Sequence, residues 1–301
     1  MKHLKDIVIP LITPITDKDT VDIPSLESLT DYLISKGVDC LYPCGTTGEM
    51  VFLTTEERKL VVETVVNTAG GRVPVFAQVG SYNTASTIEL AQHAQRIGAD
   101  GIGVVTPWFY KLSDDALIDY FCEVSSRVPE SFPIYMYAIP QNAINDINFT
   151  VAQAVASKCL NVIGIKYSYP DFTRIQQLMN VRDGKYDVLV GPDHLYEAVF
   201  AVGGKGVVSG NAMIIPEHYV AIRDAMRSQN WKLATKIQRR TNMINSILCA
   251  HNNISSYKVI LKELGIINSA KMRKPLNEIS SRESAELIAA LREINFQKVL
   301  L

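Results

Sequence analysis

Eight short apolar segments, rich in β-type residues, alternate with amphipathic segments over about the first 210 residues of the chain. A strand that alternates with a helix in this way predicts parallel strands covered by helices. Eight repeats in about 210 residues are close to the size of a closed parallel barrel. We therefore predict an α/β fold, a (β/α)8 TIM barrel.

An open, doubly wound sheet is the structural alternative to the barrel. It is weakened because no Gly-x-Gly-x-x-Gly motif follows the first strand, and because the strand count reaches eight. The predicted strands span residues 7–14, 40–43, 73–79, 101–107, 133–140, 162–168, 187–191 and 206–209.

The alternation stops near residue 216, and four helical segments follow without an intervening strand. Domain boundaries usually fall in Pro-, Gly- or Ser-rich linkers, and no such linker separates these helices from the barrel segment. We therefore predict a barrel over residues 1–225 and a C-terminal helical extension, packed on it, over 226–301. The predicted helices of the extension region are 222–228, 231–250, 256–264 and 283–294.

The charge balance excludes several classes of partner. With 30 basic and 31 acidic residues the net charge is −1, so no overall field attracts nucleic acid or anionic membranes. No apolar run approaches the roughly 20 residues that span a bilayer, and Pro10 and Pro14 interrupt any signal-peptide core. We expect a cytoplasmic protein that binds a small molecule and neither nucleic acid nor membrane.

Cysteine and histidine usage argues against a metal centre. An odd number of cysteines, five, in mostly apolar settings predicts buried free thiols. Cys40 and Cys44 have neither the CxxC spacing nor that of a zinc pair, and no HExxH motif occurs among the five histidines. We expect no metal and no other cofactor.

One lysine, Lys166, stands at the end of a short apolar strand. Lysine is among the residues least often buried, and burial favours the neutral amine, which attacks carbonyl carbons. On this segment alone, a lysine that reaches past the strand into solvent is the alternative.

The other residues at the carboxyl ends of the predicted strands indicate the type of chemistry, because barrel active sites lie there. They include hydroxyls and glycines but no paired carboxylates, metal cluster or Cys/His couple. This inventory suits carbonyl chemistry through an imine, which acts as an electron sink. These residues are Thr46, Thr47, Glu49, Trp108, Phe109, Tyr110, Tyr137, Asn142, Asp193, His194, Ser209 and Asn211.

Two of these strand ends allow a plainer interpretation. The segment 45–49 follows a strand and precedes a helix, so its amides and hydroxyls can hold a small anion, but it can equally be a tight turn with a helix cap. Tyr137 shares a strand face with Tyr135, and tyrosines in strands usually pack with a hydrogen-bonded hydroxyl. Tyr137 is nevertheless a candidate because it ends the strand next to that of Lys166.

Taken together, five motifs resemble the dihydrodipicolinate synthase/N-acetylneuraminate lyase family over nearly the whole chain. That resemblance implies a (β/α)8 barrel with a helical C-terminal extension and a Schiff base with pyruvate. The motifs are Gly45-Thr-Thr-Gly-Glu49, Thr106-Pro107, Tyr137-x-x-Pro140, Gly164-Ile-Lys166 and 203–209.

The resemblance also implies roles for individual residues. Lys166 would form the imine, Tyr137 would relay protons with Thr46, and Thr47 would bind the substrate carboxylate. It further implies a homotetramer built from tight dimers, with residues 108–110 at the dimer contact. The candidate substrate-binding residues are Gly45, Thr47, Asn142, Gly191, Asp193 and Val208.

Two departures from the family pattern bear on the substrate. Asn142 stands where dihydrodipicolinate synthases carry an arginine that grips a carboxylate, and an amide cannot replace that charge. Phe109 stands where many members carry a relay tyrosine; Tyr110, one residue on, points to the other side of an extended chain. The segment Gly191-Pro-Asp193-His194 resembles the loop that contacts sugar hydroxyls in related aldolases.

These features predict a class I aldolase, a lyase that makes or breaks a C–C bond beside a pyruvate unit. The departures favour a 2-oxo-3-deoxy sugar acid or a 4-hydroxy-2-oxo acid as substrate. Two alternatives remain open: dihydrodipicolinate synthase itself, in lysine biosynthesis, and a non-catalytic protein that binds pyruvate or a sugar acid.

Overall fold

The computed structural model describes residues 2–299. Eight strands alternate with helices along the chain and join one parallel sheet, and the fold is a (β/α)8 TIM barrel, as predicted. The strands are β1 (Asp6–Ile9), β2 (Cys40–Leu41), β3 (Phe76–Gln78), β4 (Gly101–Val105), β5 (Ile134–Ala138), β6 (Val162–Tyr167), β7 (Asp187–Val190) and β8 (Gly206–Val208). Their order in the sheet is β2-β1-β8-β7-β6-β5-β4-β3.

The helices follow the predicted pattern, with one added helix and one earlier start. A short helix, α5, begins at Pro140, and α9 begins at Pro216, ahead of the predicted start at residue 222; proline is favoured in the first turn of a helix. The helices are α1 (Ile23–Ser35), α2 (Thr55–Ala69), α3 (Thr84–Arg96), α4 (Asp114–Ser126), α5 (Pro140–Ala143), α6 (Phe149–Lys158), α7 (Phe172–Met179), α8 (Tyr196–Ala201), α9 (Pro216–Arg227), α10 (Trp231–Leu248), α11 (Asn253–Glu263) and α12 (Ser281–Glu293).

Several strands are shorter than the apolar runs that predicted them. Of the first run, 7–14, only residues 7–9 lie in the sheet, as part of β1, although residues 10–14 are buried. Pro10 and Pro14 have no N–H group to donate to a neighbouring strand, so burial here does not mean strand.

By the density of contacts, the described chain divides into two compact units. The first combines the residues up to Val8 with Pro74–Val208, and the second combines Ile9–Val73 with those from Ser209 on. The predicted boundary between residues 225 and 226 stays a prediction.

The first unit contains β3 to β8, and its interior shows why β6 carries a glycine. A Cβ atom on Gly164 would collide with the Tyr135 ring. The Tyr135 hydroxyl donates to Asp187 Oδ2 over 2.6 Å and accepts from the Leu4 N–H over 3.0 Å. Tyr135 is therefore a packed tyrosine with a satisfied hydroxyl at the amino ends of the strands.

The second unit contains β2, α1, α2 and the four helices α9–α12, and side chains at helix ends connect its distant segments. Asp22 caps α1 by accepting from the Ser25 N–H. Asn268 donates to both residues, from its backbone to Ser25 Oγ and from its side chain to Asp22 Oδ2.

Within residues 2–299, no helix is long and apolar enough to cross a membrane. The same residues contain no group of three or more His, Cys, Asp or Glu side chains placed to hold a metal ion. The five cysteines are free, as predicted, although Cys249 is exposed and Cys122 is half-buried.

Candidate active site

Lys166 is the fifth of the six residues of β6 and is only 5% exposed, so it is buried rather than extended into solvent. It pairs with Tyr137 of β5 in the sheet, and its Nζ atom lies 4.0 Å from the centroid of the Tyr137 ring. Tyr137 is itself buried. An ammonium over an aromatic face is held by cation–π attraction, so the ring fixes the position of the amine.

This pair has the parts that imine chemistry needs. The amine is a nucleophile for a carbonyl carbon, and a phenol hydroxyl both donates and accepts a proton. The low exposure of both side chains limits the water around them.

The carboxyl end of β7 lies close to that of β6, because Gly191 has no side chain. Its N–H donates to the Tyr167 carbonyl over 3.0 Å, and a Cβ atom there would collide with the Ser168 side chain. Asp193, half-buried, begins the turn that follows Gly191, and Val208 is the buried last residue of β8. These three predicted residues thus lie at the carboxyl ends of β7 and β8.

Helix α5 lies beside the end of β6, since Gln141 Nε2 donates to the Ser168 carbonyl over 2.8 Å. Asn142 is the next residue on α5 and is exposed. A cation contacts the residue that follows this helix: Lys111 Nζ donates to the Ile144 carbonyl over 3.3 Å.

Lys205 lies at the opposite ends of the strands from Lys166. It precedes β8, and its N–H donates to the Val188 carbonyl over 2.8 Å. With Lys2, His3 and Lys5 it lines a cavity of about 560 Å³. It therefore belongs to the amino ends of the strands, away from the end that carries Lys166.

Asn145 is a residue that the sequence analysis missed. It is fully buried, and its amide nitrogen donates to the carbonyls of Pro107 and Tyr110 over 2.8 Å each. Its amide oxygen accepts from the Leu112 N–H over 2.9 Å. Asn145 therefore fastens the loop 107–112 after β4. Nothing in the sequence distinguishes it from an ordinary turn asparagine, because α4 and β5 separate it from its partners along the chain.

The loop held by Asn145 carries exposed aromatic side chains. Phe109 and Tyr110 are 79% and 73% exposed and pack edge to face, with ring centroids 5.0 Å apart. Trp108 contacts Tyr82 in the same way over 6.3 Å. Phe109 has a φ of 84°, which is costly for a residue other than glycine and persists only where the surroundings impose it. We call these four residues the aromatic patch.

Asn145→Ala should lower the free energy of unfolding by about 3 kcal/mol, since it removes three hydrogen bonds and leaves the buried Pro107 carbonyl without this donor. Urea denaturation measures this. Asn142→Ala, at an exposed position on α5, is the matched control and should change stability by less than about 0.5 kcal/mol. Equal, small losses in both variants would contradict the role given to Asn145.

Gly45, Thr46 and Thr47 belong to the second unit and form a hydrogen-bonded turn after β2. The N–H of Gly48 donates to the Gly45 carbonyl over 3.0 Å, and that of Glu49 to the Thr46 carbonyl over 3.1 Å. Both threonines are half-buried.

The residue before this turn and the residue that ends it have left-handed backbone conformations. Cys44 has a φ of 59° and Glu49 a φ of 58°. Burial raises the pKa of the Cys44 thiol to about 11, and Arg58 opposes that shift only in part, so Cys44 is an uncharged thiol near neutral pH.

Glu49 is a second residue whose role the sequence analysis did not find. Its carboxylate is buried, forms an ion pair with Lys258 Nζ through Oε1, and accepts from the Arg273 N–H over 2.8 Å through Oε2. Lys258 lies on α11 and Arg273 lies beyond that helix, so no local pattern around β2 points to them.

Comparison with known proteins identifies the family of this chain. The profile of the dihydrodipicolinate synthetase family matches residues 3–294. The 4-hydroxy-tetrahydrodipicolinate synthase of Geobacter metallireducens is 31% identical over 290 residues, which cover 96% of this chain and 98% of that protein.

Solved structures give the same result. A dihydrodipicolinate synthase from Aquifex aeolicus has a TM-score of 0.92 at 30% identity, covering 97% of this chain and 98% of that one. A prophage protein of E. coli from the dihydrodipicolinic acid synthase family, solved in complex with pyruvate, has a TM-score of 0.91 at 28% identity, with the same coverage. The chain belongs to the dihydrodipicolinate synthetase family and is a lyase of the class I aldolase type.

Proposed function

We propose that this lyase is a 4-hydroxy-tetrahydrodipicolinate synthase, as the relative from G. metallireducens is named, and that it condenses pyruvate with an aldehyde that carries a carboxylate. The observation that carries the proposal is the buried amine of Lys166 against the Tyr137 ring. The names of the relatives favour this reaction over the hydroxylated 2-oxo acids that the sequence analysis placed first.

In the proposed mechanism, the Lys166 amine attacks the keto carbon of pyruvate, and water leaves to form an imine. Loss of a proton from the pyruvate methyl group gives an enamine, whose carbon attacks the aldehyde and forms the new C–C bond. Attack of water on the imine that remains then breaks its bond to Lys166 and releases the product. Tyr137 moves the protons that these steps release and consume. The imine supplies the electron sink, so we propose no metal or organic cofactor.

The remaining predicted residues take binding roles in this proposal. Thr47 and the amide of Gly45 would hold the pyruvate carboxylate, and Thr46 would join Tyr137 in proton transfer. Their support is the family pattern and the rule that barrel active sites form at the carboxyl ends of strands. The second substrate would meet Gly191, Asp193, Val208 and Asn142.

Asn142 favours a second candidate, an aldolase that acts on hydroxylated 2-oxo acids. An amide both donates to and accepts from neutral hydroxyls, whereas it offers no charge to a carboxylate. The half-buried Asp193 can accept from a hydroxyl as well.

Two steady-state assays test the proposal. Consumption of pyruvate with aspartate semialdehyde measures the condensation, and release of pyruvate from 2-oxo-3-deoxy and 4-hydroxy-2-oxo acids measures the alternative. We expect the condensation. A higher kcat/KM for a hydroxylated acid would overturn it in favour of the aldolase, and pyruvate binding without turnover in either assay would indicate a binding protein.

We further propose a homotetramer of tight dimers in which the aromatic patch is covered by a second copy. Exposed aromatics in a group are typical of interfaces. Light scattering at micromolar concentration should give the mass of four chains, and Phe109→Ser with Tyr110→Ser should lower it. Leu160→Ser, at an exposed apolar position elsewhere in the first unit, is the control and should leave the mass unchanged. A wild-type monomer would contradict the proposal.

A further inference from the structure

A buried charge cluster holds the last residue of the 45–49 turn in the second unit. Lys258, on α11, is completely buried, and its Nζ atom contacts Glu49 Oε1 and donates to the Lys271 carbonyl over 2.8 Å. The Arg273 N–H donates to the other oxygen of Glu49. Both oxygens of this carboxylate are thus bound by α11 and the segment that follows it.

The cluster extends to the start of α2. Arg273 Nη2 pairs with Glu57 Oε1 over 2.7 Å, and Glu57 also completes the capping box of α2 with Thr54. The segment that binds Glu49 is therefore fixed both to the turn that follows β2 and to the first turn of α2. The turn itself is held from a third direction, by Thr13 Oγ1 donating to the Gly48 carbonyl over 2.8 Å.

A buried ion pair adds little net stability, because the desolvation of its two charges offsets their attraction. Burial lowers the pKa of the Lys258 ammonium, and the Glu49 carboxylate opposes that shift. Apolar residues of similar volume often replace a buried ion pair without loss of stability. An apolar pair at positions 49 and 258 would lack the two contacts that the Glu49 carboxylate makes, with Lys258 and with the Arg273 N–H. Those contacts hold the left-handed backbone that ends the turn.

We propose that Glu49 and Lys258 are positioning residues, which hold Thr46 and Thr47 in the conformation that receives the carboxylate of the 2-oxo acid. The inference rests on the proposed function, because it assigns that carboxylate to this turn. It predicts that loss of the pair weakens pyruvate binding more than it slows the chemical step.

The test compares Lys258→Met with the double variant Glu49→Leu, Lys258→Met. The single variant leaves the buried Glu49 carboxylate without the Lys258 ammonium and should lower Tm by about 10 °C. The double variant should recover most of that loss. Both should raise the pyruvate concentration for half-maximal borohydride trapping of Lys166, and the KM for pyruvate, by about tenfold or more, with a smaller change in kcat.

Arg223→Met is the matched control, because Arg223 Nη1 pairs with Asp39 Oδ2 over 2.7 Å in the same unit. It should lower Tm and leave the half-maximal pyruvate concentration unchanged. A double variant that recovers both Tm and wild-type pyruvate binding would overturn the positioning role and leave a structural one. Absence of trapping at Lys166 in the wild-type protein would instead overturn the proposed function.

Discussion

Lys166→Ala should reduce turnover by at least about a thousandfold, the scale on which enzymes lose activity when a covalent nucleophile is removed. No other described lysine stands at the carboxyl end of a strand against a buried tyrosine ring. Binding of pyruvate without an imine leaves the methyl proton too weakly acidic for removal, so residual activity should be close to background. Steady-state assay of the purified variant measures this.

The covalent step has its own measurement. Reduction with borohydride in the presence of pyruvate should modify Lys166 alone, as shown by peptide mass mapping. Lys205 is the internal control, since it lies at the amino ends of the strands. Modification of Lys205, or of no lysine, would refute the mechanism.

Tyr137→Phe is the matched variant for Lys166→Ala, because it keeps the ring beneath the amine and removes only the hydroxyl. It should still be trapped with pyruvate, while kcat falls by about a hundredfold or more, the usual contribution of a positioned proton-transfer group.

Asn142→Arg should raise kcat/KM for aspartate semialdehyde by about tenfold to a hundredfold. A charge-assisted contact to a carboxylate contributes about 1.5–3 kcal/mol, roughly twice as much as a neutral hydrogen bond, and that contribution corresponds to about tenfold to a hundredfold in rate. Asn142 is exposed on α5, so the longer side chain does not displace a packed group. The assay is the condensation with pyruvate held at saturation.

Lys111 is the control for this prediction, because its ammonium donates to the Ile144 carbonyl at the end of α5. If Lys111 already supplies the missing charge, Lys111→Met will lower the wild-type rate with the semialdehyde and Asn142→Arg will bring little gain. Unchanged kinetics in Asn142→Arg, with Lys111→Met also unchanged, would contradict the role of residue 142 in binding a carboxylate.

The parts of this protein that follow local rules could be predicted from its sequence. The barrel follows from the alternation of strand and helix, and the contact between Lys166 and Tyr137 follows from two adjacent parallel strands that end near the same level. The predicted strands were too long where proline keeps a buried segment out of the sheet.

The supporting residues could not be predicted, because their roles depend on partners far away in the chain. Asn145, which follows α5, acts on carbonyls that precede α4, and Lys258 of α11 acts on a carboxylate that follows β2. Each looks ordinary in its own segment. A single sequence carries periodicity and turn chemistry, but the pairing of distant polar groups appears only in three dimensions.

The close approach at Gly191 limits how this scaffold can be re-engineered in the laboratory. Random mutagenesis at that codon should yield almost only inactive clones, because any side chain would collide with Ser168. The codon for residue 142 lies under no such constraint, since its side chain is exposed to solvent. Libraries that aim at new aldehyde acceptors should therefore vary residue 142 and leave residue 191 untouched.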